Sequence, residues 1–159
     1  IGFVIKTSLL NYPVFGHVMR AVPHIAVGRE NPRADLEQVL IQGVDLLRRG
    51  ISVILFPQST RNVVFDAAAF NTLGVKLARR AGVPVLPLAL KTDFFTPGRF
   101  WKDLSVVDQA RVVHFEFGPH IEVAGTGREA HRQIVDFIAG RIAAWGGTVR
   151  PTAEGKNDT

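Results

Sequence analysis

Apolar and polar positions fall into two copies of one pattern in the first half of this chain. A helical apolar stripe of Leu36, Val39, Leu40, Gly43, Val44 and Leu47 is followed by Arg48 and Arg49, then Gly50, then the apolar run Ile51–Phe56. Thirty-two residues on, counted between the glycines, the order returns. Phe70, Leu73, Leu77, Ala78 and Ala81 make the stripe, Arg79 and Arg80 close it, and Gly82 precedes an apolar strand from Val83. Helices alternating with short β-branched strands predict an α/β fold with parallel strands and right-handed crossovers. The first helix is marked at both ends: Asn31 fits its N-cap, Pro32 its first position and Gly50 its stop. Arginines in the last turns oppose the negative helix end and need no ligand.

The remaining elements follow the same logic. Ile1–Lys6 and His24–Val27 read as strands, and Leu9–Ala21 as a short helix with Pro13 in its first turn. That helix either packs on the sheet or dips into a membrane interface. Ile51–Phe56 reads as a strand buried on both faces of the sheet. Pro84 and Pro87 each remove a ladder donor, which places Val83–Leu90 near a sheet edge or bulge. Lys91–Leu104 reads as a long loop mixing Phe94, Phe95, Phe100 and Trp101 with Lys91, Arg99 and Lys102, suited to covering the core, meeting a membrane interface or stacking on nucleic-acid bases. Val112–Phe117 alternates as a strand, and Thr126–Glu129 reads as a capping box opening a helix with Ile134, Phe137, Ile138, Ile142 and Trp145 inward. The expected organisation is one domain over 1–145 and a disordered tail over 146–159, where little can be buried.

Composition narrows the chemistry. The 159 residues contain no cysteine, which excludes disulfides, thiolate zinc sites and a cysteine nucleophile. The five histidines are scattered without metal-site spacing, so no metal is expected. A net charge of +5 favours anionic partners. No DNA- or RNA-binding motif is present, so nucleic acid is not among them. No run of 18 apolar residues is present, so nothing in this sequence spans a bilayer as a helix.

The candidate site follows the Ile51–Phe56 strand. Pro57, Gln58, Ser59, Thr60, Arg61 and Asn62 replace apolar residues with hydroxyls, amides and a guanidinium. In open α/β sheets ligands bind beyond the carboxyl ends of strands, and this set suits an anionic oxygen cluster such as phosphate. The alternative is a polar turn that only links strand to helix. Arg29 follows the end of the His24–Val27 strand, either as a solvated loop residue or in the same crevice as Arg61.

Phe56-Pro57-Gln58-Ser59-Thr60-Arg61 resembles the Phe-Pro-Glu-Gly-Thr-Arg-Ser block of the glycerolipid acyltransferases, which include lysophosphatidate (1-acylglycerol-3-phosphate) acyltransferase. Ile25–Asn31 resembles that family's second block, Val83–Leu88 its fourth, and Phe3–Lys6 with Pro13–Gly16 the segment after its first. The matches keep the family's order over about residues 1–145. The resemblance implies a mostly parallel central sheet with helices on both faces. It also implies transfer of a fatty acyl group from acyl-CoA or acyl carrier protein to a lysophospholipid, in phospholipid biosynthesis. In that reading Arg29, Ser59, Thr60 and Arg61 bind the acceptor phosphate, and Gln58 and Pro57 lie against the substrate.

The family's catalytic His-x4-Asp block is expected upstream of Ile1, so this stretch alone is expected to be inactive. His131 and Asp136 have that spacing, but on a helix five residues turn about 140° past a full revolution, and the two side chains point apart. Two positions depart from the family pattern: Gln58 stands where it has Glu, and Ser59 where it has Gly. They leave open acceptors other than lysophosphatidate. The resemblance with the basic charge implies peripheral attachment to an anionic membrane, on the cytoplasmic face. The alternative function is a non-catalytic domain that binds lipid phosphate at a membrane surface.

Overall fold

A computed structural model describes residues 1–28, 30–58, 64–92, 95–96, 106–107 and 112–150. Strand β1 (Gly2–Lys6) runs through a 3₁₀ turn (Thr7–Asn11) into α1 (Phe15–Ala21), β2 (His24–Val27), α2 (Pro32–Arg48) and β3 (Val53–Ile54). Then come β4 (Val64–Asp66), α3 (Leu73–Ala81), β5 (Leu88–Lys91), β6 (Phe95–Thr96) and β7 (Val106–Val107). Last are β8 (His114–Phe117), α4 (Arg128–Ala144) and β9 (Thr148–Arg150). The chain groups into two compact units. The first comprises Ile1–Ser59, Asn71–Val85 and Glu122–Ala130; the second comprises Thr60–Phe70, Leu86–Ile121 and His131–Thr159.

The first unit carries the parallel sheet that the sequence pattern predicts. Its order is β2-β1-β3, with Phe3 opposite His24, Lys6 opposite Val27 and Gly2 opposite Val53. Helix α2 lies against β2 and β3 and closes a core of Ile25, Val27, Val39 and Leu46, with Val4, Val53, Leu55 and Leu73 packed around it. Ile25 is fully buried, which contributes about 1.5–3 kcal/mol over leaving such a side chain in water. Both repeats end in the same way. Ile51 N–H donates to the Leu46 carbonyl and Gly50 N–H to Leu47; Val83 N–H donates to Ala78 and Gly82 N–H to Arg79. These are paired Schellman closures, and they need left-handed backbone at Gly50 (φ 74°) and Gly82 (φ 68°). Asn31 caps α2 by accepting from Ala34 N–H at 3.2 Å, with Pro32 in the first position.

The second unit contains short pairings. Strand β4 runs parallel to β9, with Phe65 opposite Val149, and Arg150 meets the Asp66 carboxylate at 3.2 Å. Strand β5 runs antiparallel to β8, with Leu90 opposite Phe115, and Ala89 is fully buried. β6 and β7 also pair antiparallel. On α4, Ile134, Val135, Ile138 and Ile142 are buried, as the helical stripe requires.

Four expectations are corrected. Ile51–Phe56 forms ladder only at Val53–Ile54, on the edge of the described three-stranded sheet; both residues are half-buried and Phe56 is 66% exposed. Val83–Leu90 begins its strand only at Leu88, because Pro84 and Pro87 cannot donate to a ladder, and its partner is antiparallel. Within the expected disordered tail 146–159, Thr148–Arg150 are ordered by pairing with β4; residues 151–159 lie outside the described residues. Helix α4 starts at Arg128, since Gly127 before it has φ 78°, a value no helical residue takes, so Thr126 is not its N-cap. Of the long aromatic loop, Phe94, Phe100 and Trp101 lie outside the described residues.

Candidate functional site

All three strands of the first unit point their carboxyl ends the same way, and the candidate residues follow two of those ends. Strands β2 and β3 flank β1, about 10 Å apart sideways, and Val27 ends β2 three residues further along the sheet than Ile54 ends β3. The end of β2 is tied to the first turns of α2. Gln38 Nε2 donates to the Ala26 carbonyl at 2.7 Å, and Gly28 N–H donates to Asp35 Oδ1 at 3.1 Å. With Asn31 fixed as the cap, the chain is held on both sides of position 29.

The end of β3 has a different anchor. Asn71 Nδ2 donates to the Pro57 carbonyl at 2.6 Å, while Asn71 Oδ1 accepts from Leu73 N–H at 3.0 Å. One side chain therefore joins the start of the polar loop to the start of α3. Sequence reasoning missed this residue. Only its helix-start role has a sequence signal, an Asn two residues before an apolar helical run; its bond to Pro57 has none.

Pro57 and Gln58 are half-buried at this end of the sheet. Arg29, Ser59, Thr60 and Arg61 lie outside the described residues. The helical His-x4-Asp pair is not brought together. The His131 ring packs on Phe70, with centroids 5.8 Å apart, and burial holds its pKa below the usual 6.5. Asp136 is engaged by Arg132 at 3.2 Å. An open groove of about 510 Å³ runs along α2, lined by His24, Ile41, Gln42, Asp45, Leu46 and Arg49; neither Pro57 nor Gln58 is among these residues. Among the described residues no helix is long and apolar enough to cross a membrane.

Comparison with known proteins bears on this arrangement. The acyltransferase family model matches residues 1–91. The chain is 32% identical over 142 residues to a 1-acyl-sn-glycerol-3-phosphate acyltransferase of Pseudomonas aeruginosa, covering 89% of this chain and 52% of that protein. A protein of the same description from Borreliella burgdorferi is 27% identical over 137 residues, covering 86% of this chain and 53% of its own length. The chain thus spans about half the length of these relatives. In fold, it is similar to the crystal structure of the 1-acyl-sn-glycerophosphate (LPA) acyltransferase from Thermotoga maritima. The TM-score is 0.69 at 17% identity, over 95% of this chain and 58% of that one.

Proposed function

The chain belongs to the acyltransferase family, and on that premise we propose that it forms the acceptor-binding part of a lysophosphatidate acyltransferase. The observation that carries this reading is the pair of anchored strand ends. Gln38, Asp35 and Asn31 hold the loop that contains position 29, and Asn71 holds the loop that starts at Pro57. Both loops leave the same end of one parallel sheet, an arrangement that suits two arginine side chains converging on one phosphate. Arg29 and Arg61 are the pair assigned, with hydroxyl donors from Ser59 and Thr60 and closer packing from Pro57 and Gln58.

The reaction needs the acceptor hydroxyl brought to a thioester. Its oxygen attacks the thioester carbonyl carbon, the carbon–sulfur bond breaks, and the hydroxyl proton passes through a general base to the departing thiolate. A phosphate clamp fixes the glycerol for this attack, and positioning of that kind is worth several kcal/mol. The base is of the His-x4-Asp type that the family resemblance implies, and His131 with Asp136 is not that pair. The donor is acyl-CoA or acyl carrier protein, no further cofactor takes part, and attachment is peripheral at an anionic cytoplasmic membrane surface.

The test is direct. Purified full-length protein, given a radiolabelled acyl thioester of either kind and lysophosphatidate, should form phosphatidate. No product with either donor contradicts the reading.

A further inference from the structure

We propose that the 3₁₀ turn and α1 form a docking knob that inserts Tyr12, Val14 and Val18 into the interface of an anionic bilayer, beside the strand ends that hold the acceptor. The inference rests on the acyltransferase reading only for its choice of a bilayer as the partner.

The segment is built, not loose. A Cβ at Gly16 would run into the Leu10 carbonyl, so the 3₁₀ turn and α1 can approach this closely only with glycine there. Arg20 donates to that same carbonyl at 2.7 Å, and Gly16 N–H donates to the Tyr12 carbonyl at 2.9 Å. What this fixed turn presents to water is apolar. Tyr12 and Val18 are exposed and Val14 is 78% exposed.

Val14 is also strained. At φ 64° and ψ −60° it is the one non-glycine residue at positive φ among the described residues. A β-branched side chain is a poor choice there, and in water it gains nothing from its position. Immersed in lipid headgroups and upper acyl chains, the same side chain would be buried.

Charge narrows that bilayer to an anionic one. Lys6, His17 and Arg20 are exposed around these apolar residues, and no Asp or Glu occurs in the chain before Glu30. An apolar tip in a basic collar is the pattern of an interfacial anchor on anionic lipid. Place in the fold agrees. The 3₁₀ turn leaves the carboxyl end of β1, the same end at which β3 carries exposed Phe56 and then Pro57. A bilayer met there would present a lysophospholipid to the crevice without its leaving the membrane.

The experiment uses full-length protein and co-sedimentation with vesicles of phosphatidylcholine, with and without phosphatidylglycerol. Val14 lies at ψ −60°, outside the left-handed helical region that Asn favours, so the Tm of Val14→Asn against the parent checks that the fold is kept. The double variant Val14→Asn/Val18→Asn should lose roughly 10-fold in partitioning to the anionic vesicles. Val112→Asn, at an exposed valine in the second unit, should partition like the parent. Parental binding by the double variant overturns the proposal, as does an equal loss in Val112→Asn. Absence of vesicle binding by the parent overturns it too, leaving a protein as the partner of this surface. Acylation is scored separately: a parent that binds vesicles but forms no phosphatidate sinks the acyltransferase reading and leaves the docking result intact.

Discussion

The side-chain amide of Asn71 reaches back 14 residues to the Pro57 carbonyl at 2.6 Å, tying the start of α3 to the start of the polar loop. Asn71→Ala removes this bond and the one from Leu73 N–H, and should lower stability by about 1–2 kcal/mol in urea unfolding. Asn71→Asp keeps the acceptor for Leu73 and should retain more of that stability. In steady-state assays of the full-length protein Asn71→Ala should raise KM for the lysophosphatidate and leave KM for the thioester near its parental value. An equal rise in both would show general loosening in place of loop positioning.

Two glycines make opposite predictions. Gly82 closes α3 at φ 68°, where an L side chain is strained, so Gly82→Ala should lower stability by about 1 kcal/mol. Gly140 lies inside α4 with open space where a Cβ would stand, so Gly140→Ala should raise stability by about 0.5–1 kcal/mol through helix propensity alone. Thermal unfolding of the two variants against the parent measures both signs.

Legibility followed the range of the interaction concerned. Helix α2 could be read closely because its signals are local: Asn31 and Pro32 open it, Gly50 closes it. The second repeat shows its closing Gly82 equally well, yet its helix starts at Leu73, after Phe70 of the stripe, where Asn71 Oδ1 accepts from Leu73 N–H. The same range explains the tail, where Val149 finds Phe65, and β5, where Leu88 and Leu90 stand opposite Phe117 and Phe115 of β8. At the site, the run of polar residues after an apolar strand was plain in the sequence. Its anchor on Asn71 was not, because a hydrogen bond across 14 residues leaves no periodic trace.

Acid should weaken the fold through His131. Burial against Phe70 holds its pKa below 6.5, so the unfolded chain binds the proton more readily. The stabilisation from keeping this ring neutral is complete above about pH 6.5 and is lost as pH falls from there towards the folded value. His131→Phe preserves an aromatic partner for Phe70 and removes the titration. Its urea midpoint should therefore fall less between pH 7 and pH 5 than the parent's, as two parallel titration series would measure.

Recognition of the acceptor phosphate by a planar, two-pronged guanidinium at Arg61 is the centre of the account. Lysine keeps the charge but not the fork. In the full-length enzyme Arg61→Lys should lower kcat/KM for lysophosphatidate roughly 10- to 100-fold, as loss of a charge-assisted bond of about 1.5–3 kcal/mol requires. KM for the thioester should barely move. Arg48→Lys, at the end of α2, should match the parent in both. Unchanged acceptor kinetics in Arg61→Lys would contradict the phosphate clamp and the mechanism built on it.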